Sequence, residues 1–311
     1  MGKNRAEFKD IPFSDTFATI RSLDKGWSKD RKFYIETENG QRLLLRIAHI
    51  DAYDHKLTGF NMMRRVAALG VPMSQPVDFG VCNNGDNVYS LSTWCDGKDA
   101  EAALQLFSKT EQYDLGVSSG KILKVMHSIP APDDRQDWAS RFNKKIDLKI
   151  GKYNGCGLRF EGDREVLAYI EANRHLLEHR PQCYQHGDYH VGNMIISKNM
   201  EVNIIDFDRS DFGDPWEEFN RMVWSAAVSP HFATGQLNGY FDGRPPLEFF
   251  KLLALYIAVN TLSSIFWAIP FGQNDINIMM RQSQDVLRWF SDMKNPVPTW
   301  YLDDFHAHVD I

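Results

Sequence analysis

The chain has 311 residues, 43% of them apolar, enough for one large or two modest domains, each with its own core. Its formal net charge of −6, from 35 Lys and Arg against 41 Asp and Glu, excludes a general nucleic-acid binder, because phosphate backbones demand clustered cations. The four cysteines (Cys82, Cys95, Cys156 and Cys183) are too widely spaced for zinc or redox work, so they read as reduced thiols of a cytoplasmic protein.

Residues 1–7 lack an apolar core and are not a secretory signal, and Ala6 stands where a myristoylation motif needs Ser or Thr. Beyond them, 17–95 reads as strand-rich. Strands over 17–22 and 32–36 flank the polar loop 24–30, and Asn39-Gly40 is a strong hairpin signal leading into a strand over 42–48. A helix over 54–69 follows, with Leu57, Phe60, Met63 and Ala67 on one face and Gly70 at its end. Strands over 77–81 and 88–94 form a second hairpin. Asp99 then stands ready to cap a helix, and the domain boundary is expected here, dividing 1–95 from 96–311.

The remainder reads as mostly helical, with helices over 113–128, 135–150 and 164–179. Lys144, Lys145 and Lys149 look like a solvated face. Asp214-Pro215-Trp216-Glu217 has the form of a capped helix start, and helices over 215–227, 247–268 and 276–293 complete the chain. The apolar stretch 252–271 is interrupted by Asn260, Thr261, Ser263 and Ser264, so it reads as a buried helix rather than a membrane span.

The chemistry concentrates in His186-Gly187-Asp188-Tyr189-His190-Val191-Gly192-Asn193, running on to Ile205-Asp206-Phe207-Asp208. Residues 194–197 and 202–205 read as short strands joined by the polar turn 198–201. A symmetric turn sets Ser197 opposite Val202 and Asn193 opposite Asp206, where an amide and a carboxylate can share a hard divalent cation. Asp188, on a Gly-bounded loop, can reach a third reactant. A base, a metal pair and a flexible loop are the parts of phosphoryl transfer.

This pattern, with Gly213-Asp214-Pro215 after it, resembles the aminoglycoside phosphotransferase and choline-kinase-like family, relatives of the protein kinases. The resemblance implies an α+β, protein-kinase-like bilobal fold with a β-rich nucleotide-binding part and a helical catalytic part. It implies that Asp188 orients and deprotonates an acceptor hydroxyl, that Asn193 and Asp206 hold Mg2+, and that Asp208 adds a ligand or supports one. It puts His190 near the γ-phosphate of ATP or GTP. Loop 24–30, through Lys25, Ser28 or Lys29, would meet the phosphates, and Thr93 and Cys95 would lie on the strand that meets adenine. Two departures stand out. Arg46 occupies the strand position where such kinases usually carry Lys, and the helix that should offer it an acid has none from His55 to Leu69.

The favoured acceptor is an aminoglycoside or similar polyhydroxylated amine, with Glu217, Glu218, Asp242, Asp275, Asp303 and Asp304 as candidate partners for its ammonium groups. Choline, homoserine, macrolide and amino-sugar acceptors stay open, as does a degenerate nucleotide-sensing module, because fold does not determine substrate.

Overall fold

A computed structural model describes residues 8–24, 30–303 and 305. Two compact units divide the chain: Met1–Lys98 with Met194–Asp208, and Asp99–Asn193 with Arg209–Ile311. Against the expected boundary at residue 95, the hairpin that follows Asn193 packs with the strand-rich unit.

The first unit is built on a five-stranded antiparallel sheet in the order β1-β2-β3-β5-β4. The strands are β1 (Phe17–Ser22), β2 (Arg31–Thr37), β3 (Arg42–His49), β4 (Pro76–Cys82) and β5 (Asn87–Thr93). Period-two alternation sends Phe33, Ile35, Leu43, Leu45, Ile47 and Leu91 into one core, which Phe8 and Ile11 also enter. Each such side chain contributes about 1.5–3 kcal/mol of burial. The same alternation turns Arg46 to the opposite face. Helix α1 (Tyr53–Ala68) lies against β4, where the rings of Tyr53 and Phe60 meet Phe79.

After the two-residue strand β6 (Lys98–Asp99) the chain enters the second unit and returns with the hairpin β8 (Met194–Ile196) and β9 (Val202–Ile204). Backbone bonds stitch β9 to the first unit: Ile204 N–H donates to Pro72 O at 2.9 Å, and Ser74 N–H to Ile204 O at 3.3 Å. The hairpin pairs Ile196 with Val202 and Met194 with Ile204, one residue out of the expected register. The reason lies in the turn. Ser197 N–H donates to Glu201 O, and Met200 takes a left-handed φ of 60°, giving a three-residue connection rather than a symmetric four-residue one. Asp206, at φ 65°, is itself left-handed, so it leaves the strand instead of continuing its pleat.

The second unit holds the helices α2 (Ala100–Leu104), α3 (Lys109–Met126), α4 (Trp138–Gly155), α5 (Asp163–Asn173), α6 (Met222–Val228), α7 (Pro230–Phe241), α8 (Leu247–Ala268) and α9 (Gln273–Trp289). Strand β7 (Cys183–Gln185) pairs antiparallel with β10 (Asp211–Gly213). Helix α7 is a further element, absent from the sequence reading. Ser229 caps it by accepting from Phe232 N–H, and Pro230 fills its first turn. It crosses α3 at close range: a Cβ on Gly116 would lie 2.2 Å from Phe232 O, and one on Gly235 2.1 Å from Tyr113 O. Helix α8 is buried along most of its length, as a core helix should be. The helix expected over 215–227 resolves into a 3-10 turn, Glu217–Arg221, followed by α6. Asp214 still accepts from Trp216 N–H at 2.9 Å, but Glu217 turns its carboxylate toward Lys145 and Gln185 instead of closing a capping box.

Candidate active site

In the first unit Arg46 is the hub of an ion network. Its Nε donates to Asp30 Oδ2 at 3.2 Å, its Nη1 to Asp206 Oδ1 at 3.0 Å, and its Nη2 to Asp208. Lys56 on α1 joins the same acids, with Nζ 2.5 Å from Asp30 Oδ2 and 3.2 Å from Asp208 Oδ1. The kinase polarity expected of this helix is thus reversed: α1 supplies a cation, and the acid that holds Arg46 comes from Asp30 at the entrance to β2. Asp30 is only 9% exposed, so its charge is weakly screened and both cations are tightly placed. Lys32, on the strand paired with β3, has its pKa lowered by burial and then by the Arg46 charge. Neither Asp30 nor Lys56 lies in a motif, and their partners Arg46 and Asp208 are 16 and 152 residues away in sequence.

Lys25, Ser28 and Lys29 lie outside the described residues. At the end of β5, Thr93 N–H donates to Gln75 O at 2.8 Å and Thr93 O accepts from Ser74 Oγ at 2.6 Å. This main chain is already engaged at Thr93, so a base edge would have to be met further on, at Cys95. Burial and then Asp96 push the Cys95 thiol up to about 11, which keeps it a neutral, unreactive group.

In the second unit the stretch from His186 to Asn193 folds around its own polar groups. Gly187, at φ 81°, brings its backbone so close to Arg209 that a Cβ would lie 2.0 Å from the Arg209 carbonyl oxygen. Gly187 N–H donates to the buried Glu218 carboxylate at 3.0 Å, and Asp188 N–H to His186 Nδ1 at 3.3 Å. Asn193 Nδ2 donates to Asp188 O at 2.9 Å and to Asp188 Oδ2 at 3.2 Å. That orientation leaves the Asn193 carbonyl oxygen as its group for a cation.

Asp188 sits among positive groups. Arg221 Nε lies 3.3 Å from Asp188 Oδ1, with His190 Nε2 at 3.7 Å and Arg209 Nη1 at 3.8 Å. Burial raises the Asp188 pKa, but His190, Arg221 and Arg209 together outweigh it and hold the carboxyl below the usual carboxylate range. The group is therefore a fixed anion. Arg221 and Arg209 were not among the residues singled out from sequence, since neither lies in a motif.

The Asp214 carboxylate is fully buried, with Arg180 Nε donating to Oδ2 at 2.8 Å and Nη2 to Oδ1 at 3.0 Å. Tyr256 Oη of α8 donates to the same carboxylate at 2.6 Å, and Gln185 Nε2 of β7 to the Asp214 carbonyl at 2.8 Å. Gly213-Asp214-Pro215 thereby ties the end of β10 to β7 and α8.

The acids expected to receive ammonium groups are largely committed elsewhere. Glu217 lies 3.2 Å from Lys145 Nζ, Glu218 accepts from Gly187 N–H, Asp242 pairs with Lys124, and Asp303 lies 2.7 Å from Arg244. Asp304 lies outside the described residues.

Among the described residues no three His, Cys, Asp or Glu side chains gather as a metal site. Mg2+ is ordinarily held by one or two carboxylates plus substrate phosphates, so this does not count against it. Asp206 and Asp208 keep 39% and 30% of their side-chain surface exposed and offer the hard oxygens that Mg2+ takes. The donor chemistry fits.

Residues 19–250 match the model of the phosphotransferase enzyme family. Among solved structures, the chain is similar to a choline/ethanolamine kinase family protein from Mesorhizobium loti, at 15% identity and a TM-score of 0.67 over 94% of this chain and 96% of that one. It is similar to amicoumacin kinase hAmiN in complex with AMP-PNP, Ca2+ and Ami, at 14% identity and a TM-score of 0.65, covering 90% of each chain. A third is a thermostable mutant of aminoglycoside phosphotransferase APH(4)-Ia in a ternary complex with ADP and hygromycin B, at 16% identity and a TM-score of 0.62 over 88% of this chain and 94% of that one. Comparison with curated protein sequences finds no match. These likenesses establish a kinase-like fold. The family match covers most of the chain, which therefore belongs to the phosphotransferase enzyme family.

Proposed function

We propose that the protein transfers the γ-phosphoryl group of ATP or GTP to a hydroxyl of a small acceptor. The observation that carries this reading is the Asp188 carboxylate, 18% exposed, held by the Asn193 amide and kept anionic by Arg221, His190 and Arg209. In the reaction the acceptor oxygen bonds to the γ-phosphorus, the bond to the β,γ-bridging oxygen breaks, and ADP or GDP leaves. The acceptor proton passes toward Asp188. Because this carboxyl is so weakly basic, its main work is to orient the hydroxyl, and the proton moves late, as a loose metaphosphate-like transition state allows. His190 Nε2, 3.7 Å from Asp188 Oδ1, lies beside the same carboxylate.

Arg46 and Lys56 would receive phosphate oxygens, with Asp30 positioning both. Asp206 and Asp208 would hold Mg2+, which when bound neutralises charge on the phosphates; Asn193 is the further metal ligand that the family resemblance implies. Asp30 also removes the reason the acid-poor helix gave for a degenerate nucleotide-sensing module: the β3 cation has its acid, supplied from β2. The four cysteines, all free thiols, fit a cytoplasmic setting, where ATP and GTP are abundant.

An aminoglycoside-like amine is the acceptor class suggested by sequence, and one of the three structural neighbours carries such a name, yet the acids proposed to bind its ammonium groups are largely engaged internally. The test is a screen of ADP and GDP release with Mg2+ over aminoglycosides, choline, homoserine, macrolides, sugars, amino sugars and sugar acids. Acceptor-dependent release is the expected result. Nucleotide binding without turnover on any acceptor would favour the sensing module instead.

A further inference from the structure

We infer that the acceptor is a small hydroxylated carboxylic acid, its carboxylate received by Arg221 and Arg209 while its hydroxyl meets Asp188. The inference rests on the phosphotransferase reading and narrows it to a substrate class. Among the described residues Arg221 Nε has no hydrogen-bond partner, although it lies 3.3 Å from Asp188 Oδ1, and 24% of the Arg221 side chain is exposed. The guanidinium is thus ion-paired with Asp188 without being locked in a hydrogen bond there, and its exposed part can receive a further anionic acceptor. Arg209 reaches the same carboxylate only at 3.8 Å, and 47% of its side chain is exposed. One carboxylate thus faces two guanidiniums, each a planar fork of donors that matches a carboxylate edge.

The charge around this pair is positive as well. Lys145 Nζ lies 3.2 Å from Glu217 Oε1, half-exposed, and Lys149 stands close enough to feel both Lys145 and Arg221. An ammonium-bearing acceptor would have to approach these cations, whereas its expected partners, Glu217 and Glu218, are occupied. A carboxylate meets the opposite situation: it pairs with the exposed parts of Arg221 and Arg209 and offsets the excess positive charge.

The experiment compares three acceptors that share one hydroxyl scaffold and differ in charge: gluconate, glucose and glucosamine, with kanamycin as a second cation. ADP release at fixed MgATP gives kcat/KM for each, and calorimetric titration of the Asp188→Asn variant gives binding without turnover. The expected order is gluconate above glucose above glucosamine, in both measurements. Arg221→Gln should raise KM for the acid about tenfold or more, with KM for MgATP nearly unchanged. Arg209→Glu, a change at a more exposed site, should move the preference toward glucosamine. Turnover confined to glucosamine or kanamycin, or no weakening of gluconate by either variant, overturns the acid class and leaves the phosphotransferase reading standing. No binding of gluconate also overturns it. Gluconate binding that depends on Arg221, with no ADP release from any acceptor, supports the anion site and refutes the phosphotransferase reading.

Discussion

Arg46 and Asp30 form the pair that replaces the usual kinase arrangement: the β3 guanidinium is held by an acid at the mouth of β2, 3.2 Å away, while α1 contributes Lys56 to the same carboxylate. Two cations on one nearly buried acid form a unit. Removing the acid leaves Arg46 with Asp206 and Asp208, and Lys56 with Asp208, while removing one cation leaves the other still paired with Asp30.

Asp30→Asn, close in shape, is therefore the informative change. It should raise KM for the nucleotide about tenfold and lower stability by about 1.5–3 kcal/mol in urea unfolding. Lys56→Met should be milder in both. An Asp30→Asn protein with wild-type nucleotide affinity would remove Asp30 from the site.

Asp188→Asn keeps the shape of the side chain and removes the anion. Turnover should fall by about 10²–10⁴, with the dissociation constant for the nucleotide nearly unchanged. The wild-type pH profile carries a second sign. Because the folded Asp188 pKa lies below its ordinary value of 3.8, its stabilising contribution is present above that value and is lost only as pH falls through the lower, folded one. The acid limb of kcat/KM should accordingly lie below pH about 4, in the range where the protein still passes a thermal-unfolding check.

Lys149 on α4 gives a prediction of opposite sign. Burial first, then Lys145 and Arg221, push its pKa down to about 7 from 10.5, against a pull from Glu217. The unfolded chain binds more protons across that window, so this lysine's penalty is full below pH about 7 and fades as pH rises toward 10.5. Lys149→Met should raise Tm most at neutral and lower pH, and the gain should shrink in alkaline buffer. A gain independent of pH would contradict the burial argument.

The Arg180–Asp214 pair is a structural brace, with Asp214 fully buried and the Arg180 guanidinium stacked 3.8 Å over the Trp216 ring. Arg180→Ala strands that carboxylate and should cost about 3–5 kcal/mol in urea unfolding. Asp214→Asn should cost less, because the Tyr256 and Trp216 contacts persist.

Much of this was legible in the sequence because the signals were local. The polar loop 24–30 marked the end of the strand Phe17–Ser22, and a long apolar pattern placed Leu247–Ala268 as a buried helix. The motif marked Asp188 and Asn193 as functional residues, but not the hydrogen bond between them, because the expected partner of Asn193 was Asp206. The register of the β8–β9 hairpin was not legible, because Met200 adopts a left-handed conformation that only glycine or asparagine usually signals. Helix α7 was announced by Ser229-Pro230 but hidden by its even, all-round burial, which blurs the amphipathic period. Asp30, Lys56, Arg209 and Arg221 escaped because their partners are far away in sequence, as with Arg46 and Asp206, 160 residues apart.

The central claim is that this chain makes a phosphate ester on an acceptor hydroxyl and that Asp188 is required for it. Phosphorus-31 NMR of a reaction holding MgATP, the acceptor and the wild-type protein should reveal a new phosphomonoester growing in step with ADP. The same reaction with Asp188→Asn should show ATP unchanged over the same period. An ester formed at the wild-type rate by the variant, or inorganic phosphate as the only product of the wild type, would contradict the account.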